Sequence, residues 1–362
     1  MKIAVLAITK HGREIGAKIS NILKEHETTL FASEKFADSE TKTIDEPLSK
    51  FVGNLFQKYN ALVFVMALGI VVRTVSGHIK DKRTDPAVVV VDEDGRFAIS
   101  VLSGHFGAND LTKTIAKGIK AKPIITTATD VQDKPSVETL AREFNLEIED
   151  FEHAKEINAA IVNDKKVCIF SDFELGIGLP ENMSFSRFKE LQSNGTNYDA
   201  IIIITNKRIG GLEKPYVVLR PKKLILGIGS RKGIGKREVL EAINYAMKKA
   251  GLSIKSIKTI ATIDFKAKEK GIVEAAGELN TPLKSIDVKD VKKIEERFDQ
   301  SEHVREKVGV WAVSEPVAVL AGENTRLIQK KIKRKGVTVA IAEDSDRKLM
   351  RNAIFLAEER GN

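Results

Sequence analysis

One cysteine, one tryptophan and nine prolines in 362 residues exclude several classes of protein at the outset. Cys168 alone forms no internal disulfide, so the chain does not read as a stapled secreted fold but as a protein of a reducing compartment, the cytoplasm. Thiolate metal clusters go with the missing cysteines. The six histidines, His11, His26, His78, His105, His153 and His303, fall in neither His-x-His nor His-x-x-x-His spacing, so no dedicated metal site is expected. No window approaches the roughly 20 apolar residues of a membrane helix. The apolar start Ile3–Ile8 is short and runs into Lys10-His11-Gly12-Arg13, a strand and turn rather than a signal peptide. Aromatic residues make up 6%, too few for a surface that stacks single-stranded nucleic acid.

What is present is ordinary apolar mass and an excess of positive charge. Hydrophobic residues are 42% and charged residues 30%, the composition of a globular protein. This length suits two or three domains. Lysine and arginine number 59 against 50 acids, a net charge of +9. That balance fits an anionic partner, or simply solvated helix faces.

Short β-branched runs alternate with helical patterns almost throughout, which predicts an α/β protein with mainly parallel sheets flanked by helices. Strands are expected near 3–8, 61–66, 87–91, 97–102 and 123–126, then at 167–170, 200–205, 224–227, 256–261 and 337–341. Asp94-Gly95 between two of them marks one antiparallel hairpin. Residues 176–197, rich in Gly, Pro, Asn and Ser, read as irregular chain. The expected division is 1–135, a variable middle 136–221, and a carboxy-terminal α/β domain 222–362.

Four segments carry chemical interest. Gly69 follows the strand ending at Met66 and opens a helix, whose unpaired N–H groups favour an anion. It also suits plain helix–sheet packing. Lys80-Asp81-Lys82-Arg83-Thr84-Asp85-Pro86 puts three cations in four residues, a loop suited to carboxylates or to solvent. Leu102-Ser103-Gly104-His105-Phe106-Gly107-Ala108-Asn109 ends a strand and opens a helix, where open α/β sheets hold ligands. Histidine is the side chain that ordinarily titrates near neutrality, so His105 suits a general base or acid; Gly104 and Gly107 admit close approach of a ligand. The plainer alternative makes Ser103 an N-cap and His105 a surface residue.

The fourth segment, Gly227-Ile228-Gly229-Ser230-Arg231-Lys232-Gly233-Ile234-Gly235-Lys236, fails two nucleotide motifs. Lys232 occupies the third glycine of the dinucleotide fingerprint, and Ser230 the first glycine of a P-loop. A cationic glycine turn suited to carboxylates or phosphates remains. The basic run Lys330–Lys335 reads as a solvated helix end.

Several of these segments, taken in order, resemble the cobalt-precorrin-5A hydrolases of anaerobic cobalamin biosynthesis. They are MALGIVVR (Met66–Arg73), KDKRTDPAVVVVDEDGRF (Lys80–Phe97), LSGHFGANDL (Leu102–Leu111), LGIGSRKG (Leu226–Gly233), IATIDFKAKEKGI (Ile260–Ile272), SEPVAVLAG (Ser314–Gly322) and GVTVAIAE (Gly336–Glu343). The family has two glycines after the Ser-Gly-His-x step, where this chain has Gly107-Ala108. The resemblance implies an anionic cobalt-tetrapyrrole substrate, a lactone opened by water, and release of acetaldehyde. It implies no cofactor, since cobalt comes within the substrate, neighbouring pathway methyltransferases as partners, and neither nucleic acid nor membrane. On this reading His105, Ser103 and Asp85 are catalytic, with Asp85 orienting His105. Gly69, Lys82, Arg83, Gly104, Gly107, Asn109, Gly227, Gly229, Ser230, Arg231 and Glu315 bind substrate. A non-catalytic tetrapyrrole carrier would leave its ligand intact; a nucleotide-dependent transferase or reductase would bind NAD(P) or ATP tightly.

Overall fold

The computed structural model describes residues 1–173 and 175–345; the tail at 360–362, expected to fray, lies outside them. Two compact units divide the chain, Met1–Thr139 and the remainder from Leu140.

In the first unit seven strands form one sheet: β1 (Lys2–Ala7), β2 (Glu27–Ser33), β3 (Lys42–Ile44), β4 (Ala61–Val65), β5 (Ala87–Val91), β6 (Phe97–Leu102) and β7 (Lys122–Ile124). Their order is β3-β2-β1-β4-β5-β6-β7, parallel except at the β5–β6 hairpin. Gly95 turns that hairpin with φ +67°. Successive side chains of a strand point to opposite faces, and both faces of β1 are covered. Ile3, Val5 and Ala7 pack with helices Lys10–Ile22 and Ala108–Ile119. Ala4 and Leu6 pack with helices Leu48–Phe56 and Leu68–Val75 on the other face. Each fully buried Val, Leu or Ile contributes roughly 1.5–3 kcal/mol, which is why such strands are apolar without alternation.

The hairpin positions the chemistry. Because β6 runs against β5, Leu102 pairs with Val88 near the start of β5, whereas the end of β4, Val65, pairs with Val91. The turns after β4 and β6 therefore leave opposite edges of the sheet, separated by strand rising about 3.3 Å per residue. Gly69 and Gly104, expected to serve one ligand, do not share an edge. Strands β2 and β3 arise where none is expected, because Glu27-Thr28-Thr29 masks the apolar Leu30-Phe31-Ala32.

The second unit holds two sheets. The first contains β8 (Leu146–Ile148), β9 (Val167–Ser171), β10 (Met183–Arg187), β11 (Ala200–Ile204) and β12 (Tyr216–Pro221), ordered β10-β9-β11-β12-β8. Only β8 is antiparallel within it. Residues 176–197, expected to be irregular, include β10 and short helical turns. As an edge strand bonded to β9 alone, β10 needs little apolar surface and so gives a weak signal. The other sheet contains β13 (Leu224–Ser230), β14 (Ile257–Ile263), β15 (Leu283–Ile286), β16 (Thr325–Arg334) and β17 (Val337–Asp344), ordered β15-β14-β13-β17-β16. The basic run is no helix end. Its lysines lie on the edge strand β16, where charge deters pairing with other chains, and Lys335-Gly336 make the hairpin turn with positive φ.

Among the described residues no helix is long and apolar enough to cross a membrane. Nor does any group of three or more His, Cys, Asp or Glu among them come together to hold a metal ion.

Candidate functional site

The turn after β6 is built by backbone constraints first. Ser103 takes φ 58°, ψ 42°, left-handed geometry that costs a non-glycine residue about 1–3 kcal/mol and marks sites where structure is over-determined. Its hydroxyl caps nothing; it donates to the Asp85 carbonyl at 3.1 Å, and its own carbonyl accepts the N–H groups of Phe106 and Ala108. A single-turn helix, Gly104–Phe106, follows, then Gly107 at φ +122° and the helix Ala108–Ile119. One glycine makes the turn, since Ala108 is already helical and fully buried. Gly104 is required by proximity, since a Cβ there would stand 2.9 Å from Asn109 Oδ1 and 3.1 Å from Thr127 Oγ1.

This turn sets His105, half-buried, between two buried hydroxyls. Ser136, 1% exposed, places Oγ 3.2 Å from Nδ1, and Thr129 Oγ1 lies 3.5 Å from Nε2. Ser136 Oγ accepts the Thr139 N–H at 3.0 Å and donates to Thr139 Oγ1 at 2.9 Å. A serine has one hydrogen to donate. Shared between Thr139 and His105 Nδ1, the Ser136 hydroxyl ties the imidazole to the start of the helix Val137–Glu143. Sequence reading missed Ser136, although its place before the helix Val137–Glu143 is a legible capping signal. Nothing local reveals that it also touches a histidine 31 positions earlier.

The other expected groups of this unit divide. Lys82 reaches the site but is not a free carboxylate hook: Nζ is 3.2 Å from Oε1 of Glu138, a 4% exposed acid, and 5.8 Å from the Phe106 ring centre. Arg83 pairs with Asp81 through two side-chain contacts. Asp85 does not orient His105; its carboxylate accepts the Lys80 N–H at 2.8 Å. Asn109 is a tie inside the fold, 4% exposed. It accepts from Ser100 Oγ at 2.7 Å and donates to Thr127 and Asp130 at 3.0 and 2.8 Å. Gly69 sits at the other edge, near Arg73.

In the second unit the glycine turn after β13 is filled by the protein itself. A Cβ at Gly227 would collide with the Ser314 carbonyl and with Ala318; one at Gly229 would stand 2.6 Å from Thr338 Oγ1. Both glycines let neighbouring chain pack against β13. The Gly233 N–H donates to Glu269 at 2.6 Å, and Lys266 holds the same carboxylate at 3.1 Å. Those two bonds, Lys266 first, hold the Glu269 carboxyl below its ordinary range. The Ser230 hydroxyl is buried without a hydrogen-bond partner among the described residues. Glu315, 1% exposed, is turned inward: it accepts the Lys331 N–H at 3.1 Å and lies 3.7 Å from the Lys331 ammonium. Arg231 differs. Its stem covers Gly336, and its exposed guanidinium makes no ion pair among the described residues.

Three consecutive stretches match the regions of one class, the cobalamin synthesis G proteins. Residues 50–130 match the model described as Cobalamin synthesis G N-terminal, 135–221 Cobalamin biosynthesis central region, and 224–342 Cobalamin synthesis G C-terminus. A cobalt-precorrin-5A hydrolase of Priestia megaterium is 31% identical, with 94% of each chain covered. That of Salmonella typhimurium is also 31% identical, over 94% of this chain and 97% of the relative. A solved cobalamin biosynthesis protein G homolog from Sulfolobus solfataricus is 25% identical, covers 94% of this chain and 97% of that one, and superposes with a TM-score of 0.42. This chain belongs to the cobalt-precorrin-5A hydrolase family.

Proposed function

We propose that this chain opens the δ-lactone of cobalt-precorrin-5A with water and releases acetaldehyde, giving cobalt-precorrin-5B, at the turn after β6. The observation that carries the assignment is His105, its Nδ1 fixed by Ser136 at 3.2 Å, inside the segment that most resembles the family. In this reading the His105 imidazole takes a proton from water as the water oxygen bonds to the lactone carbonyl carbon. The acyl–oxygen bond then breaks, and the proton returns to the departing oxygen. The Gly104 N–H, one of the orphan donors of a helical start, stabilises the oxyanion, a contribution of roughly 3–4 kcal/mol for one good donor. Removal of the freed hydroxyl's proton then breaks the carbon–carbon bond. Acetaldehyde leaves, and the electron pair passes into the conjugated macrocycle, which serves as the sink.

Cobalt enters as part of the substrate, so the protein supplies acid, base and dipoles and needs no cofactor of its own. The carboxylates of the macrocycle suit the net charge of +9, and the exposed Arg231 is the group we assign to hold one of them. The enzyme works in the cytoplasm beside the pathway's methyltransferases and binds neither nucleic acid nor membrane. The test is anaerobic incubation with cobalt-precorrin-5A and an aldehyde trap. The proposal requires acetaldehyde in step with loss of substrate; a tetrapyrrole recovered bound but intact would make the chain a carrier.

A further inference from the structure

The second unit contains a cavity of about 430 Å³ that none of the proposed chemistry uses. It opens between β12 and the helix Lys236–Lys249, with residues 252–255 along one side. Backbone bonds fix that side: Arg208 N–H donates to the Gly251 carbonyl and Ser253 N–H to the Asn206 carbonyl, both at 2.8 Å. Val218, Met247 and Leu252 give it an apolar wall.

Apart from His153, which faces Asp150 and the Tyr216 ring, the polar lining falls into two sets. One set is satisfied. Arg220, 2% exposed, grips Glu149 through two nitrogens at 2.9 and 2.7 Å. Asp150 caps the helix Phe151–Val162, and Lys255 donates to the Glu149 carbonyl at 2.8 Å. The other set has no side-chain partner among the described residues: the Arg208 guanidinium, the Asn244 amide, and the hydroxyls of Tyr216 and Ser253. Ser253 is the most telling, 8% exposed and preceding a helical turn that its hydroxyl does not cap. All four can donate a hydrogen bond, one carries a full positive charge, and the acids nearby are already held.

An apolar pocket with a few convergent, unsatisfied polar groups is the usual form of a small-molecule site. We propose that this cavity binds a small organic anion, with a carboxylate or phosphate directed at Arg208 and Ser253 and an apolar body against Met247 and Leu252. The guanidinium fork matches both anions, so the chemistry shared by the two defines the site.

The test is calorimetric titration of the full chain at about 0.15 M salt with 3-phenylpropionate, phenyl phosphate and neutral benzyl alcohol. One or both anions should bind one to one, the tighter of them identifying the natural head group, and the alcohol should not. Arg208→Ala should weaken binding at least ten-fold, Arg208→Lys less, and Ser253→Ala a few-fold. Lys10→Ala, in the first unit, should leave it unchanged, and all variants should keep the parent's melting temperature. Failure of both anions to saturate at one site, equal binding of the alcohol, or undiminished binding by Arg208→Ala would overturn the proposal.

Discussion

Two glycine-rich turns follow strands in this protein, one after β6 and one after β13, and their contents differ. Both look alike in sequence: glycines and polar side chains between a strand and a helix. After β6 the glycines shape a turn that holds His105 half-exposed, its Nδ1 against a buried serine. After β13 they admit other parts of the chain, and Glu269 already sits on the Gly233 N–H. A glycine turn at a strand end is therefore an opportunity for a ligand; its neighbours decide whether the opportunity is kept open.

The largest contrast should come from one residue in each turn. His105→Ala should lower kcat by about 10²–10⁴-fold, the usual contribution of a positioned acid–base group, with KM nearly unchanged. Arg231→Ala should raise KM and leave kcat alone. Equal kcat losses in the two variants would dissolve the distinction. Next in size, Gly227→Ala should destabilise the protein by about 3 kcal/mol, since its methyl meets the Ser314 carbonyl and Ala318 in a packed interior. A melting temperature within error of the parent would show that helix Ser314–Leu320 yields easily.

Ser136→Ala should cost about ten-fold in kcat through misorientation of His105, besides roughly 1 kcal/mol of stability as a lost helix cap. Ser136→Thr, which keeps the hydroxyl, should restore most of the turnover but need not restore all the stability. Loss of stability with unchanged kcat would leave Ser136 a cap alone. Smallest is Glu269→Gln, about 1 kcal/mol at neutral pH. Because the folded carboxyl titrates below its ordinary value of 4.5, its stabilisation is complete above that value and is lost as pH falls through the depressed one. The gap between parent and variant melting temperatures should therefore close in acid. A gap that persists unchanged to pH 3 would assign the effect to packing.

What could be read from sequence follows how local each feature is. The Asp94-Gly95 hairpin and the Ser103–Gly107 turn were legible because glycine and a strand end carry the signal within a few residues. β16 was not, because its lysines mimic a helix end and only pairing with β17 makes it a strand. Asn109, Gly227 and Glu315, expected to meet substrate, face the interior of the fold instead, against residues too far away in sequence to suggest it. For the same reason Ser136 and Glu269 were missed: they act 31 and 36 positions from the groups they hold.

The central claim, hydrolytic opening of the lactone by this chain, is tested most directly by running the reaction anaerobically in ¹⁸O-labelled water. Attack at the lactone carbonyl predicts one labelled oxygen in the carboxylate that replaces the lactone, with one acetaldehyde released per substrate consumed. Acetaldehyde release with an unlabelled carboxylate, or no release at all, would contradict the account.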